Sequence, residues 1–386
     1  MRTRINAYLV LISLTGLMVY SACTKVTSPD EATIDVQLNN NSQELNLHVL
    51  QGESKKLAFT GTTEINSAYE FVLHATVSPL VWGDKVLHAV HVTLEGDYAY
   101  VAYATPENEY FGGIEIIEIS DVSQPKILSQ MIFTHSDITI ALKSGNRLLL
   151  GGSANSDKLA QITSPAVFTI VELHDGLMSG DFEIFDLPSY NANDIMIIGE
   201  SALVTTGTTG GGLAVFDLNT WDYGFIPIEG AKAIEVTPNG IYVMEGTGTN
   251  LHVYSALDTS FIETIPLGCP NIFQSKAETD VKDDLLFFSS GSCGMKAINT
   301  VSGEIIYDYP IPGGGHCNGV SVNNNLVFLA NDTSGLALLE IDGGNLHPMG
   351  TLSFGASVNY VISQDNKLFV AAAEAGLKII EIVPVP

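Results

Sequence analysis

The sequence predicts an all-β chain: a seven-bladed β-propeller of four-stranded blades, with the ring closed by an N-terminal strand. Three observations predict it. Thr, Val, Ile, Tyr, Phe and Gly are abundant in short runs that favour strands. One strand–turn–strand–glycine–strand unit recurs seven times, and the last copy ends one strand short of the others.

In chain order, residues 1–22 read as an export signal. "MRTR" is a basic start, and Ala7 to Tyr20 is an apolar stretch too short to span a bilayer as a helix. Ser21 and Ala22 then place small residues ahead of Cys23, as in a bacterial lipoprotein signal, which makes Cys23 the expected acylated residue. The alternative is a plain secretory signal with an incidental cysteine. The expected location is the cell envelope, lipid-anchored, at the outer membrane. Residues 23–67 read as a tether and N-terminal segment: polar around "QLNNNSQ", with strand-like "ATIDVQL" and "LNLHVLQGESKKLAFTG" that the repeats do not place. Residues 68–386 form the propeller.

The turn and second strand of the unit read "EGDYAYVAY" from Glu95, "SGNRLLLGG" from Ser144, "GESALVTTG" from Gly199 and "PNGIYVMEG" from Pro238. They recur as "KDDLLFFSSG" from Lys282, "NNNLVFLAN" from Asn323 and "QDNKLFVAA" from Gln364. Third strands follow, from "GGIEIIEIS" at Gly112 to "AGLKIIEIV" at Ala375. Gly, Asn and Asp in the turns tolerate the positive φ of short hairpins. A glycine before the third strand permits a sharp reversal. Four short strands in a period of roughly 40 residues make a propeller blade. Sandwich domains need about 100 residues each, and a β-helix needs shorter coils.

The first unit resembles the LVIVD repeat family. Gly96, Tyr98, Tyr100, Val101 and Ala102 match its first half; Gly113, Ile116, Ile119, Ser120, Asp121 and Pro125 match its second. Glu118 stands where the family has aspartate, which the third unit keeps as Asp217. The resemblance implies an extracytoplasmic β-propeller and brings no shared enzymatic activity with it.

The seventh unit stops after its third strand at Val383. A missing fourth strand leaves an open edge. The expected donor is Ala68 to Asp84, "AYEFVLHATVSPLVWGD", placed against Ile379 to Val383.

Composition narrows the function classes. Hydrophobic residues at 46% allow a large core, and 16 basic against 43 acidic residues give a formal net charge of −27. Such a chain repels phosphate backbones, so nucleic acid is excluded as a partner. No H-E-x-x-H, G-x-S-x-G, phosphate-loop or EF-hand pattern occurs, and the nine histidines lack metal-ligand spacing. No cofactor is called for. "DVKDD" (Asp280 to Asp284) reads as a solvated turn.

The repeat register supplies candidate binding residues. The loops before each first strand and between the second and third strands share one face. His88, Asp137 and His316 each precede their turn by eight residues; His135, Asn193, Asn271, Asn318 and Asn359 lie near the same register. A ring of His, Asp and Asn at a funnel mouth suits a polar ligand or an ion, although Asn and Asp at strand starts also cap backbone groups. Two insertions, Thr105 to Gly113 and Ser153 to Pro165, lengthen this face, and Tyr110 and Phe111 between Glu107 and Glu109 suit a protein or glycan. Cys269 and Cys293 belong to this face of one unit, and Cys317 to the next unit. A Cys269–Cys293 disulfide is favoured over Cys293–Cys317, with three free thiols as the alternative.

The sequence thus supports a membrane-anchored exported lipoprotein whose propeller binds or scaffolds a protein or glycan partner without catalysis. A metal-assisted hydrolase or lyase working in the funnel is the alternative.

Overall fold

Two-residue turns join the first and second strands of all seven repeats, as in the pairings Glu95↔Tyr98 and Asn323↔Leu326. In six of them the first turn residue is left-handed: Gly96, Gly145, Gly199, Asp283, Asn324 and Asp365 have φ between 53 and 57°. Glycine takes this conformation freely and Asn or Asp at little cost, which explains the turn composition. The computed structural model describes residues 26–27, 36–61, 68–106, 109–269, 272, 275–311 and 314–385. The expected signal and its Cys23 lie outside the described residues.

Each repeat folds into one antiparallel sheet, and the seven sheets form the blades of a propeller. Their innermost strands are His88–Glu95, Ser136–Ser144, Asn191–Ile198, Ala231–Thr237, Thr279–Lys282, Gly319–Asn323 and Tyr360–Gln364. The glycine before the third strand has a specific job. At Gly294, Gly335 and Gly376, in blades five to seven, φ is 75–90°, and a Cβ would strike the fourth-strand carbonyl of Tyr309, Leu352 or Val77.

The ring closes as the seventh unit requires. Tyr69–Val77 pairs with Leu377–Pro384, in the register Ile379↔Ala75 and Val383↔Glu70. The chain before it adds outer fifth strands to three neighbouring blades. Val49–Lys56 extends blade seven, Val36–Asn39 extends blade one against Lys126–Phe133, and Val26–Thr27 pairs with Ile184 and Glu183 of blade two. Between them a short helical turn, Ser42–Leu45, docks on blade one: Ser42 Oγ donates to Ile127 O (3.0 Å) and Ile127 N donates to Asn46 Oδ1 (2.9 Å). Within the segment read as a tether, residues 36–56 therefore belong to the propeller rim.

The core is divided by junction. Apolar side chains alternate between the two faces of each blade, so each main cluster is shared by two blades. Phe168 and Phe216 join blades two and three, Phe287 and Leu329 join five and six, and Phe71, Phe328 and Val370 join six and seven. The Ser153 to Pro165 insertion builds a satellite cluster of its own, burying Leu159 and Ile162 against Ile184.

Candidate functional site: the central channel

Adjacent first strands share no backbone ladder, so their polar backbone groups need other partners. Side chains supply them at six junctions, and at the junction of blades four and five two side chains bond each other. Thr93 Oγ1 donates to Ala141 O (2.7 Å), Thr139 Oγ1 to Ala192 O (2.7 Å) and Asn193 Nδ2 to Ala231 O (2.7 Å). Thr279 Oγ1 donates to Glu235 Oε2 (3.1 Å), Val322 N to Asp280 Oδ2 (2.6 Å) and Ser363 N to Ser321 Oγ (3.0 Å). Asn359 Nδ2 closes the circle onto Ala89 O (3.1 Å). Asn193 and Asn359 are thus stitches between blades.

Inside this ring lies a cavity of about 250 Å³. Its wall is drawn from positions two to five places before the turns, including His91, Asp194, Glu235, Glu278, Asp280 and Tyr360. It therefore occupies the turn-side part of the channel. On the other side sit Lys232 and Lys276, and Lys276 Nζ crosses from blade five to donate to Val90 O of blade one (2.6 Å).

Loss of water dominates the electrostatics here. It pushes Glu235 and Glu278 up to about 7 and raises Asp280; for Glu278, Lys276 and Lys232 partly offset the rise. Asp194 is raised well above the usual carboxylate range by burial and then by the Glu278 charge, against hydrogen bonds from Ile234 and Ile195 N–H. Burial lowers Lys232 and Lys276 to about 8, against the attraction of Glu278. His91 is held well below its ordinary value by burial and by Lys276, and its ring lies 4.0 Å from that of Tyr360.

The residues proposed from the sequence as a binding ring sit elsewhere, and none of those described lines this cavity. His88 Nε2 is 3.9 Å from Glu374 Oε2. The His135 carbonyl accepts Asn155 N (3.0 Å). Asp137 is buried, accepts Thr105 N (3.0 Å) and Thr105 Oγ1 (3.1 Å), and is raised by burial to about 7, so it anchors the Thr105 to Gly113 loop. His316 Nε2 is buried without a partner, and Asn318 N donates to Ala330 O (2.8 Å). Asn271 and Glu107 lie outside the described residues. Lys85 packs over the Phe111 ring (5.4 Å) and pairs with Glu109. Cys269 and Cys293 form a disulfide with a Cα–Cα distance of 6.2 Å, and Cys317 is a buried free thiol that burial pushes up to about 12.

One expectation needs correction. Asp280 is not part of a solvated turn; it lies in the first strand of blade five, half-buried, with its carboxylate on Ser321 and Val322. Only Asp283 and Asp284 form the turn. The channel carboxylates had a signal in the sequence: acidic residues at the third or fifth place before the turn, in the first strand or just ahead of it.

No family model matches the chain, and no curated protein matches it. Solved structures do. The WD40 repeats of RRP9 align with a TM-score of 0.58 at 11% identity, covering 86% of this chain and 100% of that one. The WD40 β-propeller domain of Doa1 aligns with a TM-score of 0.57 at 12% identity, covering 84% and 98%. U3-55K aligns at 0.55 and 11%, covering 79% and 97%. At such identities the likeness establishes the propeller fold alone.

Proposed function

We propose that the protein is an exported, lipid-anchored, LVIVD-like binding module that holds an extended segment of a protein partner along the outer edges of blades four and five. One observation carries this reading. The outer strands Phe261–Pro266 and Ile305–Tyr309 are edges that no described segment covers, and they present Phe261, Ile262, Ile305 and Ile306 at 58, 52, 41 and 45% exposure. Leu257 and Val301 extend the same apolar surface. Blades seven, one and two already accept an added strand at this position from the chain itself. Edge addition supplies main-chain hydrogen bonds for affinity and side-chain contacts for specificity. Apolar branched side chains on such an edge favour a protein over a glycan.

The test is photo-crosslinking in intact envelopes from positions 262 and 306, with positions 223 and 346 on blades three and six as controls. Adducts confined to 262 and 306 and abolished by Phe261→Lys with Ile305→Lys support the reading; equal adducts at the controls reject it. Acyl-precursor labelling of wild type and Cys23→Ser tests the anchor, and equal incorporation sinks it. A second reading, a hydrolase or lyase working in the channel, draws on Glu235 and Glu278 being held near neutrality, where a carboxyl serves as either acid or base. Stoichiometric divalent metal in the purified protein would favour it.

A further inference from the structure

The channel cavity holds more acid than base. Four carboxylates, Asp194, Glu235, Glu278 and Asp280, line it; among the described residues the cationic side chains that act on them are Lys232 and Lys276, on the side away from the turns. Lys276 is committed to the Val90 carbonyl. The remaining wall is mixed. Leu142, Met196 and Ile362 are aliphatic, Thr93 and Ser363 add hydroxyls, and the His91 and Tyr360 rings lie against each other at a tilt of 40°.

His91 is the independent sign of a missing partner. Its side chain is 2% exposed, it lines the cavity, and its Nδ1 has no hydrogen-bond partner. A buried polar atom left unpaired costs about 1–3 kcal/mol, so it marks a place where a ligand group or water completes the site. Among the described residues no three His, Cys, Asp or Glu side chains converge as metal ligands. The carboxylates are instead spread along blades three to five; Asp194, Glu235 and Asp280 each use part of their oxygen capacity on neighbouring backbone or hydroxyl groups, as Asp194 does with Ile234 N (2.8 Å). Spread acceptors beside an aliphatic wall suit an organic cation with a short apolar body. A volume of about 250 Å³ is below the usual range for drug-sized ligands.

We propose that the turn-side part of the channel is a binding site for a small primary alkylammonium, its charge set among Asp194, Glu235 and Glu278 and its chain against Leu142 and Met196. This site is independent of the rim and stands whether or not the rim binds a partner. Entry of the cation replaces protons held by the carboxylates, so binding releases protons and tightens as pH rises through about 7, where Glu235 and Glu278 titrate. Asp194 and Asp280 act in the same sense; Lys232 and Lys276, losing charge near 8, add to it. His91 is already neutral there, and Tyr360, raised well above 10, stays protonated.

The experiment is calorimetry on the mature protein with n-butylammonium, n-butanol and butyrate, at pH 6 and 8, in two buffers of different ionisation enthalpy. The expected result is butylammonium binding about tenfold or more tighter than butanol, no butyrate binding, several-fold tightening from pH 6 to 8, and net proton release. Glu278→Gln should weaken butylammonium about tenfold. Met196→Trp, which fills the cavity from its aliphatic side and leaves every carboxylate in place, should abolish binding, so the test survives if Glu278→Gln fails to fold. Equal binding of butanol, preference for butyrate, no butylammonium binding at millimolar concentration, or undiminished binding by Met196→Trp each overturns the proposal.

Discussion

The two arcs of the ring are held together by different means. Blades seven, one and two each carry an outer strand from the N-terminal segment, and the blade two strands run to 9, 8, 9 and 10 residues. Blade five, on the far arc, has strands of 4, 5, 5 and 5 residues. It also carries the Cys269–Cys293 disulfide and gives Lys276, Glu278 and Asp280 to the channel. Short strands bury less apolar surface, and charges facing a channel add none, so the thin blade relies on a covalent link where the thick ones rely on added strands. The difference separates closure by long-range pairing from closure by local chemistry.

The sharpest way to break the wrapped arc is Phe71→Ala. Phe71 sits on the ring-closing strand at 1% exposure, edge-on to Phe59 (5.1 Å) and to Phe328 of blade six (6.0 Å). Its loss should cost about 3–5 kcal/mol, read as a lower urea midpoint. A loss under about 1 kcal/mol would show that closure does not depend on this strand.

That strand is legible in the sequence because the seventh repeat visibly lacks a partner. The turns are legible because positive φ selects Gly, Asn and Asp. The outer strands are not: Val36–Asn39 pairs with residues some 90 positions away, and nothing in a four-residue run announces a distant edge. The candidate site is legible only in part. Counting eight residues back from the turns picks out strand entrances, where Asp137 serves the Thr105 loop and His88 faces Glu374. The channel residues lie a few places further along the same strands, but their convergence depends on seven strands meeting at one axis. Lys276 reaching Val90 across that axis follows from no repeat register.

The next comparison concerns the thin blade. The Cys269–Cys293 link spans 24 residues of sequence, a loop whose closure contributes roughly 3 kcal/mol. Cys293→Ser should lose about that much in oxidising buffer, and reductant should bring wild type down to the same midpoint. An unchanged midpoint under reduction would mean the short strands suffice. Cys317, buried and raised to about 12, should resist alkylation until the protein unfolds.

A smaller effect comes from the charges that blades four and five place in the channel. Glu235 and Glu278 rise to about 7 on folding, so the folded protein binds protons more tightly than the unfolded chain. Their contribution is full below the unfolded value near 4.5 and is lost as pH climbs through 7. Lys232 and Lys276 fall from 10.5 to about 8, so their contribution is full above 10.5 and is lost as pH drops through 8. Together they predict a stability trough between pH 7 and 8, with a rise on the order of 2 kcal/mol per carboxylate toward pH 5. Urea midpoints across pH 5–10 check this, and Glu278→Gln should flatten the acid limb. Stability that climbs steadily from pH 5 to 8 would show that these carboxylates are not the dominant titrating groups.

The smallest expected effect on folding belongs to the bare edge. Phe261 and Ile305 are surface residues already in part exposed to water, so replacing both with Lys removes limited burial and opens no cavity. The urea midpoint should move by no more than the equivalent of about 0.5 kcal/mol. On the wrapped arc the same kind of change is different: Met131 and Phe133, on the fourth strand of blade one, are fully buried, and Lys at either would strand a charge in the core. Equal tolerance at both arcs would erase the distinction between them. A large loss at Phe261 and Ile305 would show instead that the edge of blades four and five is covered in the folded protein, most simply by a second copy of the chain, and the apparent mass of the wild type in solution would then exceed that of the variant.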